Sequence, residues 1–216
     1  MSSHRLKKWL DFLILPTVFM VIFISQITLA EETLGRFDGK VVAEWLEGNG
    51  PDREMKLKED FTFVDQNGKQ WIVTKGAKVD GASIPWVFWR IVGPPFVGDY
   101  RRASVVHDFY CDNKSESWQD VHKMFYDASI AGGVPETKAK IMYAAVYAGG
   151  PRWETAESLM EKGIFGAAED FVREPIISNE KLDNAVDWIE KNNPSIEVLR
   201  ARLDTLIEDP AEELLK

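Results

Sequence analysis

Asp80-Gly81-Ala82-Ser83-Ile84-Pro85 divides the chain into two unlike parts. Before it, from Arg36 to Val79, apolar residues alternate or cluster in β-branched and aromatic runs: Val41-Val42-Ala43-Glu44-Trp45, Met55-Lys56-Leu57, Phe61-Thr62-Phe63-Val64 and Trp71-Ile72-Val73. Asn67-Gly68 lies between the last two and supplies the positive φ angles of a tight hairpin turn. After Gly81 the period becomes helical. Pro85 to Val92 reads as a short helix with proline in its first turn, and Asp99 or a neighbour caps a second helix running through Cys111. Ser117 and Asp120 form a capping-box-like start for a third, which buries Val121, Met124, Phe125 and Ala128 and stops at Gly132-Gly133. Pro135 opens a fourth, broken by Gly149-Gly150-Pro151. The fold class is therefore α+β: a small N-terminal antiparallel β-sheet, a helical body and an acidic helical C-terminal tail.

The chain has 216 residues, of which 45% are hydrophobic, enough for one sizeable core plus an appendage. Its formal charge of -9 is unevenly spread. Residues 1–30 carry three basic and one acidic side chain, residues 31–150 carry 15 and 18, and residues 151–216 carry 8 and 16. Three segments follow: 1–30, 31–150 as the α+β domain, and 151–216 as an acidic helical extension. In the extension, helical patterns cover Thr155–Lys162, Ala167–Arg173, Asn179–Lys191 and Ser195–Glu208, the last with Ile196, Leu199, Leu203, Leu206 and Ile207 on one stripe. No basic stripe exists to displace counterions from a phosphate backbone, which argues against nucleic acid as a partner. The acidic C-terminal helices are the candidate surface for a protein partner. A single cysteine, Cys111, excludes an intramolecular disulfide and a cysteine-rich zinc site.

Arg5, Lys7 and Lys8 precede an apolar run from Phe12 to Ile24, and Thr28-Leu29-Ala30 offers small residues for cleavage, the layout of a signal peptide for a periplasmic or secreted protein. The competing reading is an inner-membrane anchor over residues 9–30, but the run is interrupted at Pro16 and is shorter than the ~20 residues a bilayer requires.

Chemistry, if any, concentrates between Asp80 and Asp120. His107 and Asp108 sit about 100° apart on one helix, so they face neighbouring sectors of a cleft. A histidine there suits a general base for water, the next carboxylate suits a cation, and Asp120 is the candidate acid to orient the base. A hard cation such as calcium would take oxygens from Asp108 and from a loop bent by Gly81 or Gly93-Pro94-Pro95. Each feature also has a plainer role. Asp80, Gly81, Ser83 and Pro85 can form a turn and helix cap, Asp120 can be the capping-box acid, and His107 can be a buried core histidine. His122, two residues from Asp120, points away from it and is set aside as a ligand. Trp86, Phe88, Trp89 and Phe96 read either as core or as a lipid-facing patch. Serine chemistry at Ser83 or Ser104 lacks a nucleophile elbow, and Cys111 shares a helix face with His107 as an alternative nucleophile.

The order Asp80 to Pro85, Gly93-Pro94-Pro95, His107-Asp108, Asp120 with Phe125, and Gly133-Val134-Pro135 resembles the bacterial and phage family called domain of unknown function 1353, over roughly residues 53–153. More distantly, the layout resembles the secreted phospholipase A-two superfamily, including versions carried on viral capsids. That second resemblance implies a base at His107, a calcium ligand at Asp108 and an orienting carboxylate at Asp120. The activity it implies is calcium-assisted hydrolysis of membrane lipid at the cell envelope, with a cell-wall component as the other substrate class. The position expected to hold a tyrosine is Cys111, with Tyr110 one place early. The rival expectation is a non-catalytic envelope or phage-derived binding or structural protein.

Overall fold

The computed structural model describes residues 34–47, 54–80, 89, 93–94, 96–161, 163 and 178–206. The expected signal segment, Gly81 to Pro85, the Pro85 to Val92 helix apart from helical Trp89, the Ala167–Arg173 helix and Ile207 lie outside the described residues.

The N-terminal half forms two three-stranded antiparallel sheets where the sequence suggested one. The first has the order β1 (Gly35–Asp38), β4 (Phe61–Asp65), β5 (Gln70–Val73), and the second β2 (Ala43–Trp45), β3 (Met55–Leu57), β6 (Lys78–Val79). The runs along the chain do not reveal their pairing, because β3 joins β2 and β6 and leaves its neighbour β4 to the other sheet. Register pairs Phe61 with Val73 and Phe63 with Trp71, so these four side chains form a buried apolar face of the β4–β5 hairpin. Its turn differs from the two-residue form expected. Only Gly68 takes a positive φ, and the Asp65 carboxylate organises the loop by accepting from the Asn67 and Lys69 N–H groups.

Three long helices follow: α1 (Arg101–Asn113), α2 (Trp118–Gly132) and α3 (Glu136–Gly149). Helix α1 starts after Tyr100, which makes no side-chain cap, in place of the expected Asp99 cap. Tyr100 instead donates its hydroxyl to the Pro94 carbonyl at 2.6 Å, and Gly93, at φ 97°, leaves the room beside that hydroxyl that a Cβ would fill. Helix α2 begins as the sequence indicated. Ser117 accepts from the Asp120 N–H at 3.1 Å, and Gly133 ends the helix at φ 103°.

The acidic extension contributes α4 (Ala156–Glu161), α5 (Asn179–Asn192) and α6 (Ile196–Leu206). Leu182, Ala185, Ile189, Leu199 and Leu203 enter the same core as the sheets and α1 to α3. Polar ties reinforce the packing. Lys140, buried on α3, donates to Asn193 at 2.7 Å, and Tyr147 donates to Asp204 at 2.7 Å. Among the described residues no helix is long and apolar enough to cross a membrane.

Helix α1 is fastened to the sheet at a strand edge. β5 is a terminal strand, and an edge exposes unpaired backbone groups. The Tyr110 hydroxyl accepts from the Ile72 N–H at 3.0 Å while its ring packs edge-on against Trp71. Tyr110→Phe is expected to cost about 1–2 kcal/mol in urea unfolding with little change in far-ultraviolet circular dichroism, since it removes one partner of a partly buried hydrogen bond.

Candidate functional site

Helix α1 presents different chemistry on different faces. His107 and Cys111, four residues apart, share the face packed on α2. There the His107 Nε2 lies 2.9 Å from Nδ1 of His122, and the Cys111 sulfur lies 3.6 Å from His107 Nε2. The three donor atoms lie within 4.8 Å of one another and all three residues are buried. Phe125 stacks at a tilt on the His107 ring, and Trp118 and Trp153 flank the His122 ring edge-on. Burial in this aromatic setting pushes His107 down to about 3. It also holds His122 well below its usual value, with His107 as a second cause. Both imidazoles are therefore neutral at physiological pH, and one donates to the other. His122 Nε2 is buried without a hydrogen-bond partner among the described residues, and the Pro151 backbone offsets part of the downward push on the ring.

The next face of α1 carries Asp108 and Asp112. Asp108 is buried, and its Oδ2 accepts from the backbone N–H of Asp80 at 2.7 Å, fixing the point where the chain leaves β6. Asp112 reaches solvent. Even so, partial burial, with the Asp108 and Asp80 carboxylates adding to it, pushes its carboxyl up to about 6.

Of the residues singled out from sequence, the structure brings Asp108 to Asp80 and places His107 on the neighbouring face. It does not bring Asp120 to His107. Asp120 accepts from the Ser117 hydroxyl at 2.8 Å and borders a polar depression of about 410 Å³ with Asp65, Asp127 and Glu197. The group beside His107 is His122, which the two-residue spacing from Asp120 had set aside. A signal for it exists: Trp118, His122, Phe125 and Ser129 follow helical spacing, which puts His122 on the inward flank of α2.

On roughly the opposite face of α1 from His107, Arg101, Arg102 and Val105 line a half-open groove of about 640 Å³ together with Lys40, Val41, Trp45, Met55, Phe96 and Val97. Phe96 thus borders a surface groove while it and Trp89 also pack, half-buried, against the core.

Residues 55–146 match the family described as "Protein of unknown function (DUF1353)". Over 124 residues the chain is 45% identical to "Uncharacterized protein y4jT" of Sinorhizobium fredii, covering 57% of this chain and 37% of that protein. Over 97 residues it is 48% identical to "Uncharacterized protein y4iH" of the same organism, covering 45% of this chain and 41% of that protein. The chain thus spans about two-fifths of the length of these relatives. No solved structure matches it.

Two variants probe this geometry. A Cβ at Gly150 would collide with the Val146 carbonyl oxygen and press on the His122 ring at 3.1 Å. Gly150→Ala is expected to destabilise the fold by about 1–3 kcal/mol in denaturant titrations, the range for overpacking. The raised carboxyl of Asp112 binds its proton more tightly in the folded chain than in the unfolded one. Its contribution to stability is therefore lost as pH rises from about 4 towards 6. Asp112→Asn should accordingly raise the melting temperature at neutral pH and leave it nearly unchanged near pH 4, as read by thermal scans across that range.

Proposed function

We propose that this protein binds an anionic amphiphile, foremost a membrane lipid of the cell envelope, in the groove along α1, and that it acts by binding. One observation carries the reading: a cationic, apolar groove on a strongly acidic chain. The formal charge is -9, yet the groove's charged lining residues are Lys40, Arg101 and Arg102, and none of them pairs with a carboxylate among the described residues. Its volume of about 640 Å³ lies within the range of small-molecule sites. Trp45 is 63% exposed at its rim, with Val97 and the neighbouring Val42 also open to solvent. An aromatic side chain with a polar tip beside basic groups suits the boundary between headgroup and acyl chain.

The calcium-assisted hydrolase expected from the phospholipase resemblance draws less support. His107 is 1% exposed, and its neighbour is a second histidine where an orienting carboxylate was expected. The groove, moreover, opens on a different face of the helix. Asp108, the expected calcium ligand, is engaged by the Asp80 N–H.

Flotation with phosphatidylglycerol and phosphatidylcholine vesicles tests the binding reading. The chain should float with the anionic vesicles and lose that association as salt rises. Each basic side chain near an anionic surface contributes about 1 kcal/mol, so reversing Lys40 and Arg101 to Glu together should weaken binding by roughly tenfold or more. Trp45→Ala should weaken it with the salt dependence retained. Equal binding to both vesicle types, or none to either, would discard the reading. Release of fatty acid or lysolipid would restore the hydrolase in its place.

A further inference from the structure

The groove leaves the buried His107, Cys111 and His122 without a role. We infer that these three side chains form a binding site for a single thiophilic d10 cation, copper(I) or zinc(II).

The donor set fits that chemistry. A thiolate and two imidazoles are the ligands such cations select, whereas calcium and magnesium take oxygen. Bonds of about 2.0–2.1 Å to nitrogen and about 2.3 Å to sulfur put donor atoms roughly 3.3–3.6 Å apart around one centre. The 3.6 Å separation of Cys111 sulfur from His107 Nε2 already meets this. The two imidazole nitrogens, at 2.9 Å, have to part by about 0.5 Å, and the edge from the Cys111 sulfur to His122, within 4.8 Å, has to settle into the same range. That adjustment replaces their mutual hydrogen bond by two metal bonds.

The surroundings fit as well. His107 and Cys111 are set at a fixed helical spacing, and His122 on α2 is held by Trp118 of its own helix, by Trp153 and by Gly150, whose missing Cβ leaves room for the ring. With Nδ1 bound, the proton of His122 sits on Nε2. Charge separates the two cations. Copper(I) with one thiolate and two neutral imidazoles is electrically neutral, and three donors satisfy it. Zinc(II) would leave one buried positive charge and needs a fourth donor, and among the described residues the group has three. Binding releases the thiol proton of Cys111 to solvent, and a site this buried loads as the chain folds.

The experiment is refolding of the full chain, anaerobically and with a non-thiol reductant, in copper(I), zinc(II) or cobalt(II), the last as a spectroscopic probe for zinc. The expected result is one copper(I) or zinc(II) per chain retained through desalting, a higher melting temperature, and at least a tenfold loss of affinity in Cys111→Ser and in His122→Gln. Where zinc(II) is retained, cobalt(II) should give a thiolate-to-metal charge-transfer band in the wild-type chain, which identifies Cys111, the only cysteine, as a ligand without recourse to a variant. Retention of neither copper(I) nor zinc(II) by wild-type chain that has refolded would overturn the inference, leaving His107 and His122 as a structural hydrogen bond. So would retention unchanged in both variants. Lipid flotation of the metal-free chain reads the groove separately, so the two proposals can fail independently.

Discussion

A polar pair inside an apolar interface sets the terms for this fold. Helices α1 and α2 pack through Val106, Val121, Phe125 and Ala128, all excluded from solvent, and His107 and His122 meet within that packing. An imidazole in such surroundings must find a partner or forfeit the hydrogen bonds it made to water. Bringing His107 Nε2 to His122 Nδ1 ties the two helices to one relative rotation and one register. Apolar side chains alone tolerate sliding, whereas a 2.9 Å contact between nitrogens does not. Once α1 is so fixed, its other faces are fixed too. Tyr110 meets the edge of β5, Asp108 meets the backbone where β6 ends, and Arg101 and Arg102 line the groove.

Local features were legible in the sequence wherever a short-range rule governs them. Ser117 with Asp120 marks the start of α2, Gly133 its end, and the alternation through Phe61, Phe63, Trp71 and Val73 marks a buried hairpin face. The failures share a cause: each depends on a partner far away in the chain. Nothing in Met55-Lys56-Leu57 says that it pairs with Ala43 to Trp45 and Lys78-Val79 and not with the adjacent Phe61 strand. The same holds for the site. Residues 107, 108 and 111 stand out because they are neighbours, and Asp120 is joined to them as the acid at the start of the following helix. The carboxylate that caps a helix, however, faces along its first turn and is already engaged by Ser117. His122 lies half a turn further on and looks into the interface.

The distribution of charge has a structural counterpart. Helices α5 and α6 of the acidic extension pack on the domain, for their apolar stripes complete the core against α3, with the buried ammonium of Lys140 paired to Glu136 and bonded to Asn193. A buried lysine is stable only when its charge is met, and here an acid on its own helix and an amide beyond α5 meet it. Residues 178–206 are therefore bound into the fold by specific contacts as well as by burial, whatever else their outer faces engage.

Two sites placed on opposite faces of one helix have different demands, and this separation bears on what the domain does. A groove proposed to bind a ligand has to stay open, and its basic and aromatic rim is exposed accordingly. A cluster of neutral imidazoles and a thiol has to stay dry, because water would compete for the same donors and restore the ordinary protonation of both histidines. Helix α1 reconciles the two by keeping Arg101 at the surface and His107 in the interior within two turns of each other. A cation bound between His107, Cys111 and His122 would stiffen the α1–α2 interface and, through it, the wall of the groove. That is a structural part for the buried cluster.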